Sequence, residues 1–589
     1  MNRLYPSIAF TLLAVGILLF HAPETSAQDL GGISGNFQLD AQTYKADSLI
    51  GALAVPEKVR SNGFLNLTYS KGNFSAGIRY EMYMKEILGF DPKWGGENGQ
   101  SGITYRYAKY ANEDYELTVG NFYEQFGNGL IFRSYEERGL GLDNAIDGAK
   151  VKLTPVPGLQ ITGLVGKQRT FFTTGPGIVR GGDIDLGLNE FSTNFMNSLL
   201  PSNLQVRIGG SLLSKYQAND DPTYNLPENV MAWAARMSII AGEFSLNGEY
   251  AHKCADPSAA NGLNFNEGKA LFVSASFSTR GLGINLSLKA LDNMDFRSDR
   301  NAQLTNLTLN YLPAITKQYL YRVNTLYPYA TQNNGEIGMQ ADIFYSFEKG
   351  SFLGGQYGTT VTLNYSRVHG LDTVHNIPFT HISDQDTTIN NDMFYSSEFL
   401  KFGKRKYFED IGIEISKQWT KHFKTNFGYM NQYFNKSVVQ TPGYGVVKAN
   451  IFVSEFIYSF GSNQALRLEL QHLGAKHVAV DDEGNELTDS SGAAIVPQLD
   501  GNNGNWAYGL LEYTFAPTWF VSVFDEYNYD NSDPDHRLHY LSGNVIWVKD
   551  ALIISLGYGR VRGGILCVGG VCRPVPASNG FSISISSTF

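Results

Sequence analysis

From residue 33 to the end of the chain, apolar and polar positions alternate in runs of about ten residues. The run FSAGIRYEMYM sets Phe74, Ala76, Ile78, Tyr80 and Met82 against Ser75, Gly77, Arg79 and Glu81. LGINLSLKA sets Ile284, Leu286 and Leu288 against Asn285, Ser287 and Lys289, and EIGMQADIFYSF sets Ile337, Met339 and Ala341 against Gly338, Gln340 and Asp342. ALRLELQHL sets Leu466, Leu468 and Leu470 against Arg467, Glu469 and Gln471, and GITYRYAKY places Arg106 among the polar positions. The closing run, GFSISISSTF, alternates Phe581, Ile583 and Ile585 with serines and ends on Phe589. A period of two is the repeat of an extended strand with two unlike faces.

The connections between runs alternate as well. Tight turns such as SKGN (Ser70–Asn73), PVPG (Pro155–Gly158) and TRG (Thr279–Gly281) take turns with long polar stretches such as Leu371–Lys404 and His477–Asn503. A soluble sandwich would also alternate, but the number and length of the runs and their aromatic flanks favour a barrel in a membrane. There, every backbone polar group must be paired internally, which leaves only helices or closed barrels. The chain has no apolar run of about twenty residues beyond its first few dozen positions, so the barrel is the remaining way to span. The pattern predicts an all-β fold: a large antiparallel transmembrane β-barrel of about 26 strands, within roughly 22 to 28 and always even. Short turns are expected on the periplasmic side and long loops on the extracellular side, with both termini periplasmic. The one interruption is NEFSTNFMNSLLPS (Asn189–Ser202), read as a short amphipathic helix that packs under the rim or docks a partner.

Composition sharpens this picture. Aromatic residues make up 13%, charged residues only 17%, and glycines number 62. No shift in composition marks a domain boundary. Residues 1–27 read as a secretory signal: Arg3, the apolar run Ile8–Phe20, then Thr25 and Ala27 before Gln28. Residues 28–589 read as a single barrel domain, delivered to the outer membrane and in contact with its lipid. The strand ending at Phe589 is expected to engage the barrel assembly machinery. A net charge of −10 argues against a nucleic-acid partner.

Candidate chemistry is sparse. The stretch LIFRSYEERGLGLDNAIDGAK packs Arg133, Glu136, Glu137, Arg138, Asp143 and Asp147 into a chain otherwise poor in charge. It is expected to be a loop fixed by pairs of Arg133 and Arg138 with the four carboxylates, folded at the outer mouth or into the lumen. Arg79, Glu81, Arg106, Lys289, Asp342, Arg467 and Glu469 are expected to face a wet lumen of mixed sign. Cys567 and Cys572, five apart, suit a disulfide in the last long hairpin, and Cys254 has no evident mate. The ten histidines are scattered, and no nucleophile, phosphate-loop or metal motif appears. No catalytic residue, metal or cofactor is expected, and the chain is read as a non-enzyme.

Five blocks also carry a resemblance: Gly127–Gly148, Gly177–Glu190, Leu326–Gln340, Glu414–Asn435 and Cys567–Ala577. They resemble a domain-of-unknown-function family of Bacteroidota outer-membrane β-barrel proteins. The resemblance implies a large monomeric barrel in that membrane and implies no activity. Two functions fit: a channel or porin-like passage for a solute, or a non-enzymatic subunit of an assembly for secretion, export or membrane biogenesis. A TonB-gated transporter is not expected, because the reading leaves no room for a plug domain before the first strand.

Overall fold

The computed structural model describes residues 31–90, 99–191, 201, 203–374, 395–440, 442–481 and 484–589. Twenty-four strands form one antiparallel sheet in which each strand pairs with its neighbours along the chain. The sheet closes on itself: Gly32–Thr43 pairs with the last strand, Ser578–Thr588, from Asn36↔Thr588 to Gln42↔Ser582. At the seam Gly35 N donates to Phe589 O (2.8 Å) and Phe589 N donates to Gly35 O (3.0 Å). Closure leaves no row of unpaired edge groups, each of which would cost several kcal/mol in an apolar medium.

Alternation along the strands sorts side chains between two faces. Ile78, Val119, Ile184 and Leu212 are each 42–57% exposed on the outside, while Arg79, Thr118, Asp183 and Leu213 beside them are buried. The outer surface is therefore the apolar one, the reverse of a soluble sandwich. No helix among the described residues is long and apolar enough to cross a membrane.

Connections also sort by rim. At one rim the chain reverses in two residues, at Gly72–Asn73, Pro157–Gly158, Gly242–Glu243, Arg280–Gly281 and Asp550–Ala551. Gly72, Gly158, Gly242, Gly281 and Asp550 all take positive φ there, which tight hairpins with the native twist require. At the other rim lie the long connections, including residues 123–145, 293–334, 479–505 and 529–541. The short-turn rim has its own longer pieces. One begins with the helix Leu188–Phe191, and the rest of the expected Asn189–Ser202 helix falls largely outside the described residues.

The count of 24 falls inside the expected range, two below the expected 26. Residues 293–334 are long enough for two more spanning strands of about ten residues each. They contain instead a single 3-10 turn, Arg322–Leu326, and two prolines, Pro313 and Pro328, that break any ladder. This segment turns inward. So do residues 123–145 and the hairpin Gly564–Val568 with Val571–Val575. The apolar core lies where these insertions meet the wall. Phe126, Leu130, Ile131 and Phe132 pack with Leu309 and Leu312 and with Val179, Ala232, Ala234, Ala251 and Ala270 of the strands. Across the lumen, Ile315, Val323, Tyr327 and Tyr329 pack against Phe408, Phe434, Val447, Ile451 and Trp506.

Candidate functional site: a lumen crossed by its own loops

The charged stretch singled out in the sequence begins by diving into the core: Leu130, Ile131 and Phe132 are all 0% exposed. The chain then returns along the wall, and its charges meet those of the strands. Arg79 donates Nη1 to Asp143 and Nη2 to Glu136, both at 2.9 Å. Arg169 donates to Asp143 and, at 2.6 Å, to Glu81, and Arg138 Nε donates to Glu136 at 2.7 Å. Three arginines and three carboxylates thus balance in a nearly dry site. The Tyr123 hydroxyl adds a bond to Asp143 (3.1 Å), and burial, followed by that carboxylate, pushes the phenol well up, so it is a neutral donor.

Of the expected pairs within the loop, Arg138–Glu136 forms, and the loop's other ion pairs among the described residues run to the barrel wall. Arg133 makes no ion pair among the described residues and lies between the rings of Tyr135 and Tyr311, 4.2 and 4.1 Å from their centroids. Glu137 accepts from Gly139 N (3.1 Å) at the start of a 3-10 turn. Asp147 is in the next strand, Ile146–Val156, on the side of the exposed Val151 and Leu153, and pairs with Arg106 at 3.1 Å.

Arg106 is therefore on the outer face, contrary to the expectation that it lines the lumen. The pairing of Phe74–Lys85 with Gln100–Ala111 jumps from Arg79↔Tyr105 to Tyr80↔Ile103. The extra residue, Thr104, inverts the alternation beyond it. The other expected lumen residues are held in bonds. Lys289 and Glu336 pair at 2.7 Å with both side chains at 0% exposure. Asp342 accepts from Gln340 (2.7 Å) and Asn364 (2.8 Å). Arg467 pairs with Glu455 and Glu469 and, at 3.6 Å, with Glu512. Cys567 and Cys572 form a disulfide across the inward hairpin, and Cys254 is a free thiol.

Residues 293–334 are the largest feature that the sequence pattern did not reveal. They leave Leu282–Asp292 and cross the lumen. At the near side Lys253 Nζ donates to Asp295 O (2.5 Å) and Lys215 Nζ to Arg297 O (2.7 Å). In mid-course Arg133 N donates to Leu309 O (2.8 Å), and the Tyr311 hydroxyl donates to Gly569 O of the disulfide hairpin (3.0 Å). At the far side Lys317 pairs with Glu414, Arg322 with Glu526, and Val323 N donates to Gln471 Oε1 (2.9 Å). Glu526 also takes Arg562 Nε at 3.1 Å. These contacts span strands from 215 to 526, so the segment is a strut across the barrel and not a surface loop.

A signal for it does exist in the sequence. The lumen faces of the strands opposite the insertions carry small apolar residues where a wet lumen would carry polar ones. In VMAWAARM, Ala232 and Ala234 face in and Met231 and Trp233 face out. Gly177 is the sharpest case: a Cβ there would sit 1.9 Å from Ser298 O.

The fold and site define a closed β-barrel whose lumen is crossed by its own long connections. The chain belongs to the family of unknown function DUF6029, whose model matches residues 1–589. Among solved structures it is similar to a mutant of the ferric enterobactin receptor PfeA from Pseudomonas aeruginosa, with 9% identity, 96% of this chain and 81% of that chain covered, and a TM-score of 0.41. It is similar to the outer membrane transporter YddB from Escherichia coli with 11% identity, coverage of 96% and 81%, and a TM-score of 0.39. Similarity to the copper transporter OprC is 10% in identity, with coverage of 96% and 84% and a TM-score of 0.35. A search of curated proteins finds no match.

Proposed function

We propose that this barrel resides in the outer membrane as a gated passage for a small solute, drawn here in its closed state. Supporting the location, a closed barrel with an apolar outer belt and no unpaired edge is a stable solution for a chain in lipid. On this reading the short-turn rim and both termini face the periplasm. What carries the gating is one observation: residues 293–334 cross the lumen and are tied to distant strands through Lys317–Glu414 and Arg322–Glu526. A passage standing open at all times would not be crossed by such a strut, and a barrel of 24 strands is too wide for wall side chains alone to fill it.

The test is conductance in planar bilayers. Wild type is expected to give rare, brief openings, and a variant with residues 299–328 replaced by a short Gly/Ser linker a sustained pore. Steady wide conductance from wild type would refute gating; silence from a folded deletion variant would refute the passage. A role as a subunit of a larger assembly draws support from Phe352, 98% exposed on the short-turn rim beside Leu353. Stoichiometric partners in a pull-down from native membranes would favour that role.

A further inference from the structure

The outer face is apolar along most of its belt, but one patch of it is cationic. Lys167 lies opposite Asp147 on the neighbouring strand, and Arg180 lies opposite Val165, two residues from Lys167. Val165 is 47% exposed on the outside, while Gln168 and Val179, which flank the two cations in the chain, are 0% exposed on the lumen side. Lys167 and Arg180 therefore project from the outside of the wall as diagonal neighbours, roughly 7–8 Å apart at Cα. Neither has an ion pair or a side-chain hydrogen bond among the described residues. Arg106 joins them through its pair with Asp147, its side chain 59% exposed. Three cations thus face outward around one carboxylate.

The height of the patch makes it unusual. Its residues lie six to ten positions from the short turns Asn112–Asp114 and Pro157–Gly158 and from the helix that begins at Leu188. A tilted strand climbs about 2.5 Å per residue, so the patch sits roughly 15–25 Å above the short-turn rim, in the upper part of an apolar belt about 25 Å tall. At the same distance from the rim, other strands present Leu212, Trp233 and Phe452 to the outside. Unpaired cations at this level of a lipid-facing wall are unfavourable unless an anion meets them.

Beside the patch the outer wall is hollowed. A furrow of about 690 Å³ runs from Arg106 and Asp147 toward the short-turn rim. Its floor is made of small residues, Ala76, Ala108 and Gly148, and its sides are Leu67, Ile78 and Val119. Ala76 and Ala108 are cross-strand partners, so the floor is low on both strands at once. An apolar trough that ends at a cationic patch has the polarity of a lipid, with a chain at one end and an anion at the other.

We propose that this face binds a lipid with a phosphate headgroup. The phosphate sits on Lys167 and Arg180 with Arg106 at its edge, and one acyl chain lies in the furrow. Charge complementarity selects an anion over a zwitterion, and the furrow selects a lipid over a free phosphate. With the short-turn rim in the periplasm the patch belongs to the outer leaflet, an assignment that rests on the outer-membrane reading. Binding is read in detergent and without conductance, so it and the passage fail separately.

The experiment is native mass spectrometry of the detergent-solubilised full chain with dioleoyl phosphatidate and dioleoyl phosphatidylcholine, which share their chains and differ in headgroup. Phosphatidate is expected to be retained about tenfold or more in preference to phosphatidylcholine. Lys167→Gln combined with Arg180→Gln is expected to cut that preference below about twofold. Lys448→Gln combined with Lys476→Gln, at two outer-face cations that already share Glu486, should leave it unchanged. Ala108→Trp, which fills the furrow, should weaken phosphatidate about threefold or more. Glycerol phosphate, the headgroup without chains, should not compete at equal concentration. Folding of each variant is checked by heat-modifiable gel migration. Equal retention of the two lipids, or a preference that survives the Lys167 and Arg180 changes or falls as far in the Lys448 and Lys476 control, would overturn the proposal. So would wild-type binding by Ala108→Trp or full competition by glycerol phosphate.

Discussion

At Lys289 the ammonium is fully enclosed, held by Glu336 at 2.7 Å and donating to Pro313 O at 2.5 Å. Such a pair adds little net stability when intact, because desolvation cancels much of the attraction, but removing one partner strands the other. Lys289→Met should therefore cost about 3–5 kcal/mol, and adding Glu336→Gln should recover part of the loss. Urea unfolding of the detergent-solubilised barrel, followed by gel migration, would check both. Asp295 gives a pH dependence. Burial opposes its ionisation, but the Arg297 fork, helped by Lys253, prevails and holds the carboxyl below its ordinary value of 3.8. A carboxyl depressed in the folded state contributes stability that is fully present above its unfolded value and is lost as pH falls through the folded one. Amide protection at the start of the strut, around residues 295–300, should thus be flat from neutral pH down to about 5 and fall below about 4. Exchange that already quickens at pH 6 would show that Asp295 is not the anchor.

Among the elements, the disulfide hairpin is the smallest unit with a separable role. Its two five-residue strands form their own sheet, apart from the barrel, and its turn is held by the strut through Tyr311 and through Thr331 N, which donates to Gly570 O at 3.2 Å. Closing a loop this short is worth about 2 kcal/mol in the chain-entropy account. A variant with both Cys567 and Cys572 changed to Ser is expected to keep the barrel and loosen the hairpin. Limited proteolysis should then cut within residues 564–575 while gel migration of the folded band is unchanged. The 123–145 insertion behaves differently, since Arg79 and Arg169 of the wall hold it through Glu136 and Asp143. It is expected to resist cleavage in the same digest as long as those strands are paired.

For the whole molecule, the question is which contact keeps the strut across the lumen. Glu526 is 1% exposed and serves both Arg322 of the strut and Arg562 of the wall. Glu526→Ala leaves two cations facing each other with nothing between them. It is expected to raise the opening probability in bilayers about tenfold or more at unchanged single-channel size, a shift of roughly 1.4 kcal/mol in the gating equilibrium. An unchanged opening probability would place the latch elsewhere, with Lys317–Glu414 the next contact to remove.

Alternation, which is local, determined the strands and the division of each into an apolar and a polar face, because a period of two leaves a strand only one way to divide its faces; the number and length of the runs, their aromatic flanks and the alternation of short with long connections pointed to the barrel. The disulfide was legible from spacing alone, and Arg79, Glu81 and Lys289 from their polar parity. Arg106 was not, because one bulged residue at Thr104 reverses parity without leaving a mark in composition. Nor were the partners of Asp143, since Arg79 and Arg169 reach it from strands far away in the chain. The strut was hidden for the same reason. Residues 293–334 are as polar and aromatic as a surface loop, and only the alanines and glycines on the facing strands record that something presses against them. Tertiary structure alone decided that the lumen is crossed by residues 293–334, because the crossing depends on which groups distant in the chain meet, and no local pattern encodes that meeting.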